Sequence, residues 1–246
     1  MQGNLGNSYG GMELKDGDVD DRLGFIRKVY MILLVQLGIT AGFTAIAITS
    51  LGMCSWMQEN WWLIIIVSIF IIVIEIALIC VRSLARKTPH NYIALLMFTM
   101  LEAYWIAFIC QYYVYDPYRN SFNDDGYRTI TMAGCMTIAV VAAATTYAWT
   151  TKNDFTRQRG FIFVLVVTFM MLGFFSIFFY SYVFMMFMCT LGVIIFGIFL
   201  IYDTQLILGE GRHKLQIDDY ILGALILYTD IIMIFYYLLM LCGGRG

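Results

Sequence analysis

A run of 43 residues without any Asp, Glu, Lys or Arg lies between Arg159 and Asp203. About 20 apolar helical residues are enough to cross a bilayer core roughly 30 Å thick. The run is therefore about twice as long as one crossing requires, and it predicts two membrane helices joined by a tight turn. Its polar break is Tyr180-Ser181-Tyr182, so we place the turn there.

The composition of the whole chain agrees with a membrane location. Apolar residues make up 61% of the 246 residues and charged residues 13%, about half the usual ~25% of soluble domains. A globule of this length cannot hide so much apolar surface from water. This excludes an ordinary cytosolic enzyme, a disordered chain and a secreted disulfide scaffold. The net charge of −2 and the lack of a basic stripe exclude a nucleic-acid partner.

Hydropathy predicts an all-α integral membrane protein with seven spans. They cover residues 27–50, 61–83, 92–114, 129–150, 161–180, 183–208 and 220–242. The period-two alternation of a membrane barrel is not seen in the sequence. Residues 1–24 are polar and acidic and lack the apolar segment of a signal peptide. We expect them to form a short cytosolic tail ahead of a membrane domain at 25–246.

The distribution of Lys and Arg predicts the orientation of the chain. Twelve fall on one side of the predicted spans and three on the other, which puts the N-terminus in the cytosol and the C-terminus on the lumenal or external side. A G-protein-coupled receptor has the opposite orientation. The twelve are Lys15, Arg22, Arg27, Lys28, Arg82, Arg86, Lys87, Lys152, Arg157, Arg159, Arg212 and Lys214; the three are Arg119, Arg128 and Arg245.

Four acids lie inside the predicted spans: Glu75, Glu102, Asp203 and Asp230. Ionisable groups at membrane depth are costly and are functional candidates for that reason. All four lie about 8 to 15 Å from the predicted cytosolic ends of four different helices. We infer one shared acidic site. No lysine lies inside any predicted span, which excludes a retinal Schiff base.

The chemistry of these acids suggests a proton-sensitive cation pathway. Two carboxylates close together in a medium of low dielectric cannot both ionise at low cost, so they titrate in two coupled steps. Oxygen ligands suit Ca²⁺, as a permeant or transiently bound ion and not as a permanent cofactor, although Na⁺ or H⁺ fits the same chemistry. Arg82 and Arg86, seven and eleven residues after Glu75, share its helical face as counter-charges or snorkel to headgroups.

Five segments carry motifs that can be recognised. They are FIRKVYMILLVQL (25–37), TPHNYIALLMFTMLEAY (88–104), TTYAWTTKNDFT (145–156), LGVIIFGIFLIYDTQLILG (191–209) and DDYILGALILYTDIIMIFYYLL (218–239). In order and spacing they resemble the lifeguard branch of the transmembrane Bax inhibitor motif family. The resemblance runs from about residue 22 to the C-terminus. The short acidic tail departs from the long Pro/Gly/Tyr-rich tail that is frequent in that branch.

The resemblance implies a seven-helix bundle with the C-terminal helix central. It also implies a pH-controlled Ca²⁺ leak across endomembranes that restrains apoptosis. The family's aspartate pair falls on Asp203 and Asp230, and its second-helix Glu and Arg fall on Glu75 and Arg86. In the family the arginine latches an aspartate when the pore is shut, which favours Arg86 over Arg82. We expect location in the endoplasmic reticulum or Golgi, or in the plasma membrane, with membrane-protein partners of the cell-death machinery.

Other functions remain as alternatives. An intramembrane aspartyl protease is disfavoured because Asp230 follows Leu227-Tyr228-Thr229 and not Gly-x-Gly, so we expect no enzyme. A non-conducting interaction protein that regulates cell death would act through partners in the bilayer. A proton-coupled transporter is the third alternative, although inverted repeats with Gly- or Pro-broken helices are not visible in the sequence.

Overall fold

The computed structural model describes residues 16–176, 178, 181–209 and 213–244. Of the described residues, 87% are helical. Nine α-helices are described: α1 Asp16–Thr49, α2 Leu51–Glu59, α3 Leu63–Cys80, α4 Arg82–Arg86, α5 His90–Val114, α6 Asp124–Thr150, α7 Arg159–Ser176, α8 Tyr182–Leu208 and α9 Tyr220–Gly243. Two short antiparallel strands, β1 Tyr115–Asp116 and β2 Ser121–Phe122, connect α5 to α6. Two 3₁₀ turns, Phe155–Gln158 and Ile217–Asp219, precede α7 and α9.

Six of these helices are long and apolar enough to cross a membrane: α1, α3, α5, α6, α8 and α9. The predicted span at 161–180 corresponds to α7, whose apolar part, Gly160–Ser176, is shorter than the other six. Six crossings are therefore supported, and the seventh stays a prediction. In the predicted turn, Ser181 precedes the first residue of α8, whereas Tyr180 lies outside the described residues.

Two predicted boundaries differ from the structure. The span drawn at 61–83 is interrupted at Val81, whose φ of −97° and ψ of 84° separate α3 from α4. In α4, Ala85 is buried and Arg82 is exposed. At the N-terminus, α1 begins at Asp16, ahead of the membrane-domain boundary drawn at residue 25. Acidic side chains near a helix start interact favourably with its dipole, which is consistent with this earlier start.

The last helix, α9, occupies the interior of the bundle. Half of its most apolar stretch is buried, the largest share among the six candidate crossings. It packs against α1, α5, α6 and α8, and its Leu225, Tyr228 and Leu239 are completely or almost completely enclosed. A helix that is apolar on every face is suited to such a position. By contrast, α3 buries only 11% of its apolar stretch and is mainly lipid-facing.

The two ends of the bundle are identified by contacts between distant segments. We call the basic end the one that carries the start of α1, the ends of α3, α6 and α8, and the starts of α5 and α9. Arg86 contacts Asp219 there, and Gln205 contacts Asn153. The side on which the sequence concentrates Lys and Arg is this end. At the opposite end, the Tyr127 hydroxyl donates to the Ile48 carbonyl at 2.8 Å.

Candidate functional site

The packing of α8 against α9 brings the carboxyl groups of Asp203 and Asp230 together. Their side chains interact directly with each other. Asp230 is only 5% exposed and has the buried Leu227 and Ile234 one turn away on either side. Asp203 is half-buried. The two aspartates that the sequence analysis paired are therefore neighbours in the interior of the bundle.

The two glutamates lie near this pair. Glu75 on α3 is close enough to act electrostatically on both Asp230 and Glu102. Glu102 on α5 is buried, and Glu75 is half-buried. At 1.5 Å per residue, Glu75 and Asp203 lie about 8 Å from the basic-end termini of their helices, and Asp230 and Glu102 about 15 and 18 Å. The four acids thus lie in one region, from the middle of the bundle toward the basic end.

Several buried oxygen atoms on the helices that carry the acids have no hydrogen-bond partner among the described residues. They are Oε2 of Glu102, Oδ2 of Asp230, Oγ1 of Thr204 and Oγ1 of Thr229. Thr204 and Thr229 each stand next to one aspartate in the sequence. A buried polar atom without a partner is costly. Such oxygens are the atoms to which a proton, a water molecule or a cation would bind.

A polar stripe on α1 extends the site across the bundle. The Gln36 amide donates to the Thr99 hydroxyl at 3.0 Å, and the Thr40 and Tyr228 hydroxyls are 2.7 Å apart. Tyr228 in turn is near enough to Glu102 for an electrostatic interaction. Sequence analysis missed this stripe. The signal was present, because Gln36, Thr40 and the buried Thr44 recur every four residues and so share one face.

The end of α8, just after Asp203, is capped by an arginine from α1. Arg22 donates to the backbone carbonyls of Leu215 at 2.6 Å, Leu206 at 2.8 Å and Leu208 at 3.2 Å. The last carbonyls of a helix have no partner within the helix, and cationic side chains are favourable ligands for them. Gly209 ends the helix with a φ of 78°, in the left-handed region that favours glycine.

Gln205, in the same turn of α8, is hydrogen-bonded to the segment that links α6 to α7. The Gln205 side-chain oxygen accepts from the Phe155 amide, and its amide nitrogen donates to the Asn153 carbonyl, both at 2.9 Å. The backbone N–H of His213 also donates to the Thr156 hydroxyl at 3.2 Å. Arg22 and Gln205 therefore hold the segment that positions Asp203. Sequence analysis had counted Arg22 only as a positive charge and had not singled out Gln205.

The predicted latch has a different partner in this structure. Arg86 donates from Nε to Oδ1 of Asp219 at 2.7 Å, and from Nη2 to Oδ2 of Asp219 at 3.0 Å. These hydrogen bonds raise the pKa of the Arg86 guanidinium. Asp219 precedes Asp230 by eleven residues, about 16 Å along a helix. Arg86 is thus paired away from the Asp203–Asp230 pair, and Arg82 forms no ion pair with any described residue.

The acids do not form a ready-made metal centre. Within the described ranges, no three His, Cys, Asp or Glu side chains are placed to hold one metal ion. Ca²⁺ normally takes six to eight oxygen ligands. The two carboxylates of Asp203 and Asp230 offer only part of such a set.

Comparison with known proteins adds the family. Residues 22–246 match the family described as "Inhibitor of apoptosis-promoting Bax1". The chain belongs to this family. It is 32% identical to protein lifeguard 3 of Homo sapiens over 98% of this chain and 75% of that protein. It is 33% identical to protein lifeguard 3 of Mus musculus, over 100% and 80% of the two chains. Protein lifeguard 4 of Mus musculus is 31% identical, over 89% and 84%.

These matches confirm the lifeguard resemblance and place the chain in a family of anti-apoptotic membrane proteins. The family match starts at residue 22 and so includes every residue of the site described above, from Arg22 to Asp230.

Proposed function

We propose that this protein is a pH-sensitive Ca²⁺ leak channel of the endoplasmic reticulum or Golgi that restrains apoptosis. The observation that carries the proposal is the contact between Asp203 and Asp230 inside the bundle, with Glu75 and Glu102 nearby. In this proposal the basic end of the bundle faces the cytosol, in accordance with the bias of Lys and Arg in the sequence. The protein catalyses no reaction and holds no permanent cofactor; Ca²⁺ and H⁺ are its transient ligands.

Gating follows from the chemistry of two carboxyl groups in contact. Such a pair titrates as a unit, so its charge changes in steps as the pH changes. In the singly protonated state the two groups share a proton, and this hydrogen bond holds α8 to α9. In the doubly ionised state they repel each other and attract a divalent cation. Conduction therefore depends on pH through the charge of the Asp203–Asp230 pair.

In this proposal the cation moves from the pair past Glu102, Tyr228 and the polar stripe of α1, which together offer oxygen atoms across the bundle. Oxygen atoms at successive depths can replace part of the hydration shell of a moving cation. Entry is at the basic end, where Glu75 lies within electrostatic range of Asp230. The clamp formed by Arg22 and Gln205 keeps the Asp203 turn in register with α9 while the pair changes charge.

Ca²⁺ flux into dye-loaded proteoliposomes, from about pH 5 to about pH 8, tests the proposal. We expect a pH-dependent flux that both Asp203→Asn and Asp230→Asn alter. Asp218→Asn is the matched control. It removes an exposed carboxylate from the turn that precedes α9 and is expected to leave the pH profile unchanged.

The results of the flux assay distinguish the channel from the alternative functions. An unchanged pH profile in Asp203→Asn refutes gating by the pair. No flux above empty liposomes at any pH refutes the channel and favours the non-conducting interaction protein. Flux that requires a counter-gradient of protons favours a proton-coupled transporter.

A further inference from the structure

A second polar site lies at the basic end, away from the aspartate pair. It is a cavity of about 250 Å³ between the end of α3, α4 and the segment that leads into α9. Its polar lining includes Arg82, Arg86 and Lys214, and its apolar lining includes Leu78, Ile79 and Leu222. This volume is slightly below the ~300–1,000 Å³ that sites for drug-sized molecules occupy, and it suits a single headgroup.

The cavity carries an excess of positive charge. Among the described lining residues, three cationic side chains face one carboxylate, that of Asp219, and both oxygens of this carboxylate are bound by Arg86. Asp218, outside the lining, also acts on Arg86 electrostatically. Arg82 and Lys214 have no ionic partner in the described part of the chain. Arg86 also donates from Nη2 to the Gln216 side-chain oxygen at 2.7 Å, and its Nη1 has no hydrogen-bond partner among the described residues.

The cavity also opens toward lipid. Ile79, in the last turn of α3, is 47% exposed on a helix that is mainly lipid-facing. The break at Val81 ends α3, and α4 then buries Ala85 while it presents Arg82 outward. An apolar floor that continues onto the lipid-facing surface therefore meets a cationic rim at the level where headgroups lie.

We propose that this cavity binds the phosphate of an anionic phospholipid headgroup. Arg82 and Lys214 contact the phosphate oxygens, and Nη1 of Arg86 completes the cationic rim. Guanidinium groups bind phosphate through paired hydrogen bonds, and basic pockets between membrane helices on the cytosolic side suit anionic headgroups. Asp219 fixes the orientation of Arg86, so the site is partly preorganised. The lipid glycerol and acyl chains then continue over the exposed Ile79 and Ile76, which a soluble phosphate could not use.

The test is binding of short-chain lipids to the purified full-length protein, measured by native mass spectrometry and by titration. The probes are dioctanoyl phosphatidylinositol phosphate, dioctanoyl phosphatidylcholine, the soluble inositol phosphate headgroup and inorganic phosphate. The test variant is Arg82→Gln with Lys214→Gln, two exposed side chains whose loss leaves the packed core unchanged. The matched control is Arg27→Gln with Lys152→Gln. It also removes one exposed arginine and one exposed lysine at the basic end, but neither of them lines this cavity.

We expect the anionic lipid to bind more tightly than phosphatidylcholine, and the test variant to bind it about tenfold more weakly or worse. The control double variant is expected to bind like the unaltered protein. Equal weakening by the control shows general surface attraction and overturns the site. Equal affinity for the soluble headgroup or inorganic phosphate overturns the assignment to lipid. Equal binding of the anionic lipid and phosphatidylcholine overturns recognition of the charge. Because no arm measures Ca²⁺, these results are independent of the proposed channel.

Discussion

The cap that Arg22 forms on α8 gives the most quantitative prediction. Arg22→Ala removes three hydrogen bonds from a charged donor, with lengths of 2.6, 2.8 and 3.2 Å. It also removes the stacking of the guanidinium on Phe25, at 4.7 Å from the ring centroid. Hydrogen bonds to charged groups contribute about 1.5–3 kcal/mol each when well buried. Arg22 is half-buried, so we assign about 1 kcal/mol to each bond and about 3 kcal/mol in total.

A loss of that size is measurable as a change in Tm. For a chain of roughly this length, 1 kcal/mol corresponds to about 2–4 °C, so Arg22→Ala is expected to lower Tm by about 6–12 °C. Arg22→Lys keeps the positive charge but lacks the planar guanidinium whose three nitrogens donate to the three carbonyls. It is expected to recover less than half of the loss. Arg27→Ala, an exposed arginine on the same helix, serves as the control.

Thermal unfolding in detergent measures the shift, and amide hydrogen exchange locates it. Faster exchange is expected in the last two turns of α8, around Asp203, and not in α5 or α6. The reasoning is refuted if Arg22→Ala unfolds within about 2 °C of the unaltered protein. It is equally refuted if Arg27→Ala produces the same loss.

Three further predictions concern other contacts. Gly209→Ala places an L-residue at a φ of 78° and is expected to lower Tm by about 4 °C, whereas Gly134→Ala, with open space around it, is expected to leave Tm equal or higher; equal shifts in the two variants contradict this. Tyr228→Phe removes the 2.7 Å hydrogen bond to Thr40 and is expected to cost about 0.6–1.7 kcal/mol in an unfolding assay, and no cost contradicts the bond. The Asp219 carboxylate raises the pKa of Arg86, so this guanidinium stays protonated throughout the pH range of the flux assay, and its partner is Asp219 and not Asp203 or Asp230. Arg86→Lys is therefore expected to leave the midpoint of any pH-dependent Ca²⁺ flux unchanged, and a moved midpoint refutes this assignment.

The membrane helices and the aspartate pair could be predicted from the sequence for physical reasons. Long apolar runs have few alternatives in a bilayer, so α3, α5, α6, α8 and α9 lie where hydropathy predicts them. Charged residues inside such runs are conspicuous, and the location of Asp203 and Asp230 in the same half of the predicted spans pointed to one region. The contact between them then follows from the packing of α8 on α9.

The contacts at the basic end could not be predicted from the sequence. The partners of Arg22 are backbone carbonyls more than 180 positions away in the chain. Every residue carries a carbonyl, so no pattern of residue types identifies these three. Asp219 was overlooked for a related reason. It lies in a short polar run before α9 that has the composition of a solvated loop, and only the packing of α4 against that loop reveals its partner.

The interior position of α9 has a consequence for how the protein is made. The ribosome completes α9 after α1, α4, α5, α6 and α8, against which it packs, so these earlier helices enter the bilayer without their centre. Until α9 arrives, the polar stripe of α1 and the buried Glu102 must face each other or lipid. A chain truncated before Tyr220 would keep most of its membrane-crossing helices and yet lack the residues that unite them. Such a product is expected to be retained and degraded by the surveillance machinery of the membrane in which it was inserted.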